Sequence, residues 1–119
     1  MTNIITLIVT AIMAVETPCG RVVGDGGRAI GRTQVHRIMV REVNRLTGSS
    51  HRTTVAYRKA HSEKICHDFV AWALGHGWSV YEIAQAWNGG ISAPRQGRSR
   101  RYANKVMQKY NQLRRRSCG

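Results

Sequence analysis

The chain has 119 residues, room for one domain, since domains typically hold about 100–150 residues. Its 42% hydrophobic and 21% charged residues exclude a disordered chain and permit a packed core. Nineteen Lys and Arg, fifteen of them Arg, outweigh six Asp and Glu for a net charge of +13. A field of that sign directs the chain toward nucleic acid, an anionic membrane face or an anionic cell-wall polymer.

The first element is a nearly unbroken apolar stretch from Ile4 to Val15, interrupted by Thr6 and Thr10. It is shorter than the roughly 18 residues a membrane span needs, and Met1-Thr2-Asn3 lacks the basic residues that open a signal peptide. Residues 3–16 therefore predict a buried helix, ended by Glu16-Thr17-Pro18 because proline disfavours the helical state before it. The glycine-dense segment Gly20–Gly31 predicts tight turns or a short hairpin. From Thr33 a helical period returns, with Val35, Ile38, Met39, Val43 and Leu46 on one face. The stretch from Thr47 to His61 is polar and has no clear period.

Ser62 is positioned to cap a helix that carries Ile65, Phe69, Trp72 and Ala73 inward and ends at Gly75-His76-Gly77. Ser79 and Glu82 form the S-x-x-E capping box of a short helix that stops at Trp87-Asn88-Gly89-Gly90. An Arg, Gly and Ser-rich loop, residues 91–101, leads to a last helix with Tyr102, Val106, Tyr110 and Leu113 on one face. Arg114-Arg115-Arg116 fall where the helix dipole favours cations, as a basic C-terminal tail. The expected fold class is mostly α: about five helices and one short glycine-rich hairpin or loop beside the first helix, in a single domain spanning 1–119.

With six acids, any acid–base chemistry has a short list to draw on. Glu82 belongs to its capping box, Glu63 to the first turn of a helix, Asp68 to the polar side of that helix, and Glu42 to surface ion pairs with neighbouring Arg. Glu16 closes an apolar helix, where desolvation raises a carboxyl's pKa. Raising it from about 4.3 to about 6 would increase the protonated fraction at neutral pH roughly fifty-fold. The competing reading is a helix-terminal Glu pointing at water. Asp25, in Gly24-Asp25-Gly26-Gly27, is expected to stay solvated and ionised, or else to serve its own turn. One neutral and one ionised carboxyl is the arrangement that glycosidic cleavage uses. Gly24-Asp25-Gly26-Gly27-Arg28 lacks the phosphate-loop Lys, and no Lys occurs before residue 59.

Cys19, Cys66 and Cys118 match no zinc spacing and read as free thiols, and the five His add no metal site. His36 reads as a cleft residue or a solvated one, and Trp72 and Trp78 as core.

Four blocks, in order, resemble the lysozyme-like superfamily, in particular the transglycosylase-like and invertebrate-type (destabilase-like) lysozymes of phage and bacteria. Ala11-Ile12-Met13-Ala14-Val15-Glu16-Thr17 resembles the helix ending in a catalytic Glu followed by Ser. The segment from Gly24 to His36 is similar to G-D-x-G-x-A-x-G-P-Y-Q-I-H. Ile83-Ala84-Gln85-Ala86-Trp87-Asn88-Gly89-Gly90 is similar to I-A-x-x-x-N-G-G, and Tyr102 with Lys105-Val106 to Y-x-x-K-V. Arg32-Thr33 departs from the usual Pro-Tyr or Leu-Met, Trp87 stands where His or Tyr is common, and the dense cysteine framework of the animal enzymes is absent.

The resemblance implies a lysozyme-like α+β fold with Glu16 as general acid and Asp25 as second carboxylate. It implies that Thr17, Gln34, Asn88 and Gly89 line the sugar cleft and that Tyr102 reaches toward Glu16. The implied activity is a muramidase cleaving the β-1,4 bond between N-acetylmuramic acid and N-acetylglucosamine, or a lytic transglycosylase using Glu16 alone. The expected partner is peptidoglycan, met by a monomer without cofactor, metal or transmembrane span. Synthesis in the cytoplasm and action on the wall, in phage lysis or virion entry, are expected in the absence of a signal peptide. The alternative is a basic, non-enzymatic nucleic-acid-binding protein using Arg95, Arg98, Arg100, Arg101 and Arg114–Arg116, although no base-reading motif occurs. For an enzyme, nucleic-acid contact would be only non-specific.

Overall fold

The computed structural model describes residues 3–16, 23–24, 29–30, 35–52 and 59–118, with side chains described for 3–16, 37–52 and 61–116. The order is α1 (Ile4–Glu16), β1 (Val23–Gly24), β2 (Ala29–Ile30), β3 (Val35–His36), α2 (Arg37–Thr47), α3 (Lys59–Gly75), α4 (Val80–Gly89), α5 (Ala93–Gln96) and α6 (Arg100–Cys118). The fold is mostly α, with a minimal antiparallel sheet in the order β1-β2-β3.

α1 starts where Asn3 caps it, the Asn3 Oδ1 accepting from the Thr6 N–H at 2.8 Å. Its apolar run buries Leu7, Ile8, Val9, Ala11 and Ile12 against α3 and α6, so the segment is core. No helix among the described residues is long and apolar enough to cross a membrane. The hairpin forms with Val23 opposite Ile30 and Gly24 opposite Ala29. Val35 does not begin a helix as its period suggested. It pairs with Ile30 as the third strand.

That strand moves the start of α2 to Arg37 and rotates its inner face. Met39, Val40 and Val43 are buried, whereas Ile38, expected inside, is 75% exposed. α3 also begins earlier than the sequence suggested, at Lys59. Ser62 therefore lies inside the helix, fully buried, and is not its cap. Glu63 consequently leaves the first turn, which holds no acid.

The capping box of α4 is present in both halves: the Glu82 N–H donates to Ser79 Oγ at 3.1 Å, and the Ser79 N–H donates to Glu82 Oε1 at 2.9 Å. The supposed loop 91–101 contains α5 and is tightly ordered around Arg98. Its guanidinium donates to Gly89 O at 2.8 Å, Ser92 Oγ at 3.0 Å and Gln96 Oε1 at 2.7 Å. The Arg98 carbonyl accepts from the buried Gln85 amide at 2.9 Å. Arg98 clamps the end of α4 to the α5 segment, which removes it from the cations available to a ligand. The Arg114–Arg116 run belongs to α6 and is helical.

The core is centred on Phe69, fully buried, with ring centroids 6.3 Å from Trp72, 6.2 Å from Trp78 and 5.7 Å from Trp87. Trp72 and Trp78 are partly buried against the core, and Trp87 lies within it. Cys66 is a buried free thiol.

A polar staple ties α3 to the segment after α2. Asp68 Oδ2 lies 2.7 Å from His51 Nε2, and Lys64 Nζ lies 3.0 Å from Asp68 Oδ1. The Asn44 side chain holds the His51 backbone through both its carbonyl (2.8 Å) and its N–H (2.9 Å). Burial raises the Asp68 pKa, but hydrogen bonds from Lys64 and His51, with their charges, outweigh it and leave the carboxyl below its usual value. A depressed acid stabilises the fold above its unfolded pKa, and that stability is lost as pH falls through the folded one. Below about pH 4, Asp68→Asn is therefore expected to approach the wild type in stability, while at neutral pH it is less stable by roughly 1–3 kcal/mol. Urea titrations of both proteins at neutral and acid pH check this; a gap that persists unchanged in acid would count against it.

Candidate functional site

Glu16 is the last residue of α1, and that helix is placed by its apolar flank against α3 and α6. Its carboxyl is half-buried and acts on two groups delivered by those neighbours, Tyr102 from the first turns of α6 and Cys66 from α3. Burial and then the Glu16 carboxylate push the Tyr102 phenol well above its ordinary pKa. The Tyr102 hydroxyl is close enough to Glu16 for hydrogen bonding to contribute, but the contact is not aligned as a full hydrogen bond. Both the Cys66 thiol and the Tyr102 phenol are held in their neutral forms at physiological pH. The Cys66 thiol is raised by burial and then by the carboxylates of Glu16 and Glu63. A thiol so held is a poor nucleophile, which leaves Glu16 and the neutral phenol as the chemistry of this junction.

Asn88 and Gly89 stand at the end of α4, where they line a cleft of about 330 Å³ with Ile38, Met39, Glu42, Trp87, Gly90 and Ile91. Ile38 and Ile91 offer apolar surface beside the Asn88 amide, a combination suited to a sugar bearing an N-acetyl group. Neither Glu16 nor Tyr102 is among the described residues lining that cleft. The structure thus brings Glu16 to Tyr102 and Asn88 to Gly89 as two pairs. Thr17, Asp25 and Gln34 lie outside the described residues.

Each member of the second pair also has a structural task. Asn88 Oδ1 accepts from Ser99 Oγ at 2.9 Å, which leaves the amide N–H donors for other partners. At Gly89 an added Cβ would clash with Ser99 Oγ and lie 3.0 Å from the Ala93 Cβ. Ser99 itself has a positive φ of 62°, unusual for a residue with a side chain. Gly89→Ala is expected to cost about 1–3 kcal/mol by overpacking. The loss should shrink in a Ser99→Gly background, which removes the obstructing hydroxymethyl and suits the backbone. A double-mutant cycle by chemical denaturation reads this, and equal losses in both backgrounds would show that the crowding is elsewhere.

Two features escaped the sequence. Glu63 was assigned to a helix start, yet its carboxylate acts on Cys66 one turn along α3, beside a groove shared with Thr6, Val9, Thr10, Met13, Lys64 and His67. Only its i, i+3 spacing to Cys66 hinted at this. His51, in the segment without clear period, is the partner of Asp68, and no local signal links them. Glu42 is in the ion pair expected of it, 2.7 Å from Arg45 Nη2, and it additionally borders the Asn88 cleft. Among the described residues, no group of three or more His, Cys, Asp or Glu could hold a metal ion.

No family model, curated protein or solved structure matches this chain.

Proposed function

We propose that this protein is a peptidoglycan-cleaving glycosidase of the muramidase type, with Glu16 as its general acid. The observation that carries the reading is the meeting of the Glu16 carboxyl with the buried Tyr102 hydroxyl at the end of a core helix. The C-terminal end of a helix is its negative pole and opposes a carboxylate, which favours the protonated form that an acid catalyst needs. The Tyr102 phenol, held neutral, lies beside that carboxyl. Glu16 gives its proton to the glycosidic oxygen as the bond to C1 breaks, and positive charge develops on the sugar ring.

Asp25, on sequence grounds, is assigned to stabilise that charge or to capture it covalently. Water then completes hydrolysis and returns a proton to Glu16. Asn88 and Gly89 contribute to holding the aminosugar chain, with Thr17 and Gln34 assigned to the same cleft by the resemblance. The net charge of +13 concentrates the enzyme on a polymer rich in carboxylates and phosphates, an effect that salt screens.

Digestion of purified peptidoglycan, with products read by mass spectrometry, tests the reading. Muropeptides with reducing N-acetylmuramic acid ends are expected. Anhydro-muramyl ends would mean that the sugar's own C6 hydroxyl displaces the leaving group, a lytic transglycosylase that has no need of Asp25. No products on several wall types would overturn the enzymatic reading.

A further inference from the structure

The charge on this chain is not evenly spread. After Glu82 there is no acidic residue, yet the chain carries nine cations, Arg95, Arg98, Arg100, Arg101, Lys105, Lys109 and Arg114–Arg116. Not all are available. Arg98 is held in the clamp, and Arg114 lies over the Tyr110 ring, 5.8 Å from its centroid. The others on α6 sort by helical geometry. At about 100° per residue, Arg101, Lys105, Lys109, Arg115 and Arg116 fall within an arc of roughly 120°. Ala103, Val106 and Tyr110 are buried on the opposite side. Arg101, Lys105, Arg115 and Arg116 are exposed, Lys109 is half-exposed at the edge, and Gln108 and Gln112 fill the middle of the stripe. No carboxylate on α6 pairs with any of them. Surface helices usually intersperse the two signs, since unrelieved like charge is unfavourable. A stripe with no counter-charge on its own helix, which is roughly 28 Å long, is therefore matched to an extended external anion.

We propose that the outer face of α6 is a docking surface for a linear phosphodiester polymer of the cell wall, such as poly(glycerol phosphate). The choice of polymer rests on the muramidase reading. The geometry is independent of it. Arg dominates the stripe and its planar fork suits phosphate oxygens, while the lack of exposed large apolar side chains on α6 disfavours insertion into a lipid layer. Tyr102 is carried on the inner side of the same helix, so a polymer on the outer face leaves the Glu16 junction uncovered. The enzyme would be held to the wall by one face of α6 while the other face serves its acid.

The test uses the full chain carrying Glu16→Gln, which binds without digesting. Its retention is measured on walls bearing poly(glycerol phosphate), on the same walls stripped of it by hydrofluoric acid, and on duplex DNA of matched charge. Stripping is expected to lower affinity about tenfold or more, as is Arg101→Gln/Lys105→Gln/Arg115→Gln on intact walls, and both differences should vanish near 1 M salt. An unchanged thermal midpoint shows that the triple variant folds. Equal retention on stripped walls, an unaffected triple variant, or clearly tighter binding to DNA would each overturn the proposal. The triple substitution alone, with Glu16 intact, should digest stripped walls at the wild-type rate and intact walls more slowly. Should the wild type digest neither wall, the muramidase reading fails, while the retention results still decide the docking surface.

Discussion

Glu16→Gln is expected to lower peptidoglycan turnover by about 10²–10⁴-fold while leaving the folded state intact. The amide has the shape of the carboxyl but no proton to give, so the leaving sugar would depart as an alkoxide. Half-buried at the end of α1, the side chain can change from acid to amide without opening a cavity. A second readout does not depend on turnover. The Glu16 charge is one of the causes that raise the Tyr102 phenol, so removing it should bring that pKa down toward the level set by burial and Cys66. Ultraviolet titration of wild type and variant measures the difference. If turnover survived the substitution, Glu16 would not be the acid. If turnover fell but the tyrosine titration did not move, Glu16 would act without the contact to Tyr102.

Phe69→Ala is expected to be the most damaging single change to stability, at about 3–5 kcal/mol. Phe69 is fully buried, and its ring is shared by Trp72 of its own helix, Trp78 of the α3–α4 turn and Trp87 of α4. Truncation would leave a void walled by three large rings, which cannot collapse to fill it as small aliphatic side chains can. Those tryptophans also report the result, since their fluorescence follows the environment that Phe69 provides. Phe69→Leu, which keeps most of the volume, should lose clearly less. A loss below about 1 kcal/mol for Phe69→Ala would show that the aromatic cluster is not the packing centre of the domain. Because Trp87 precedes Asn88 and Gly89, the same substitution should also weaken the cleft at the end of α4.

The local sequence determined most of the helical framework. Apolar period and terminal signals placed α1 and α4 nearly to the residue, because a capping box and a proline act within a few residues of themselves, whereas α6 begins at Arg100, inside the segment that read as a loop. The same local reasoning identified Glu16 as an acid at the end of an apolar helix. It misplaced Ser62, Val35 and Ile38, because a good capping residue or a periodic apolar position has more than one local use. Pairing to β2 settled Val35, and the helix start that followed turned Ile38 outward.

Only the tertiary structure decided which distant groups meet. Tyr102 comes to Glu16 because α6 packs on α1, His51 comes to Asp68 because the segment after α2 folds across α3, and Arg98 is drawn into a clamp by the carbonyl at the end of α4. Composition alone gave the excess of positive charge. Packing decided which cations remain on the outside, because burying one side of α6 in the apolar core forces the opposite side, with Arg101, Lys105 and Arg115, into water.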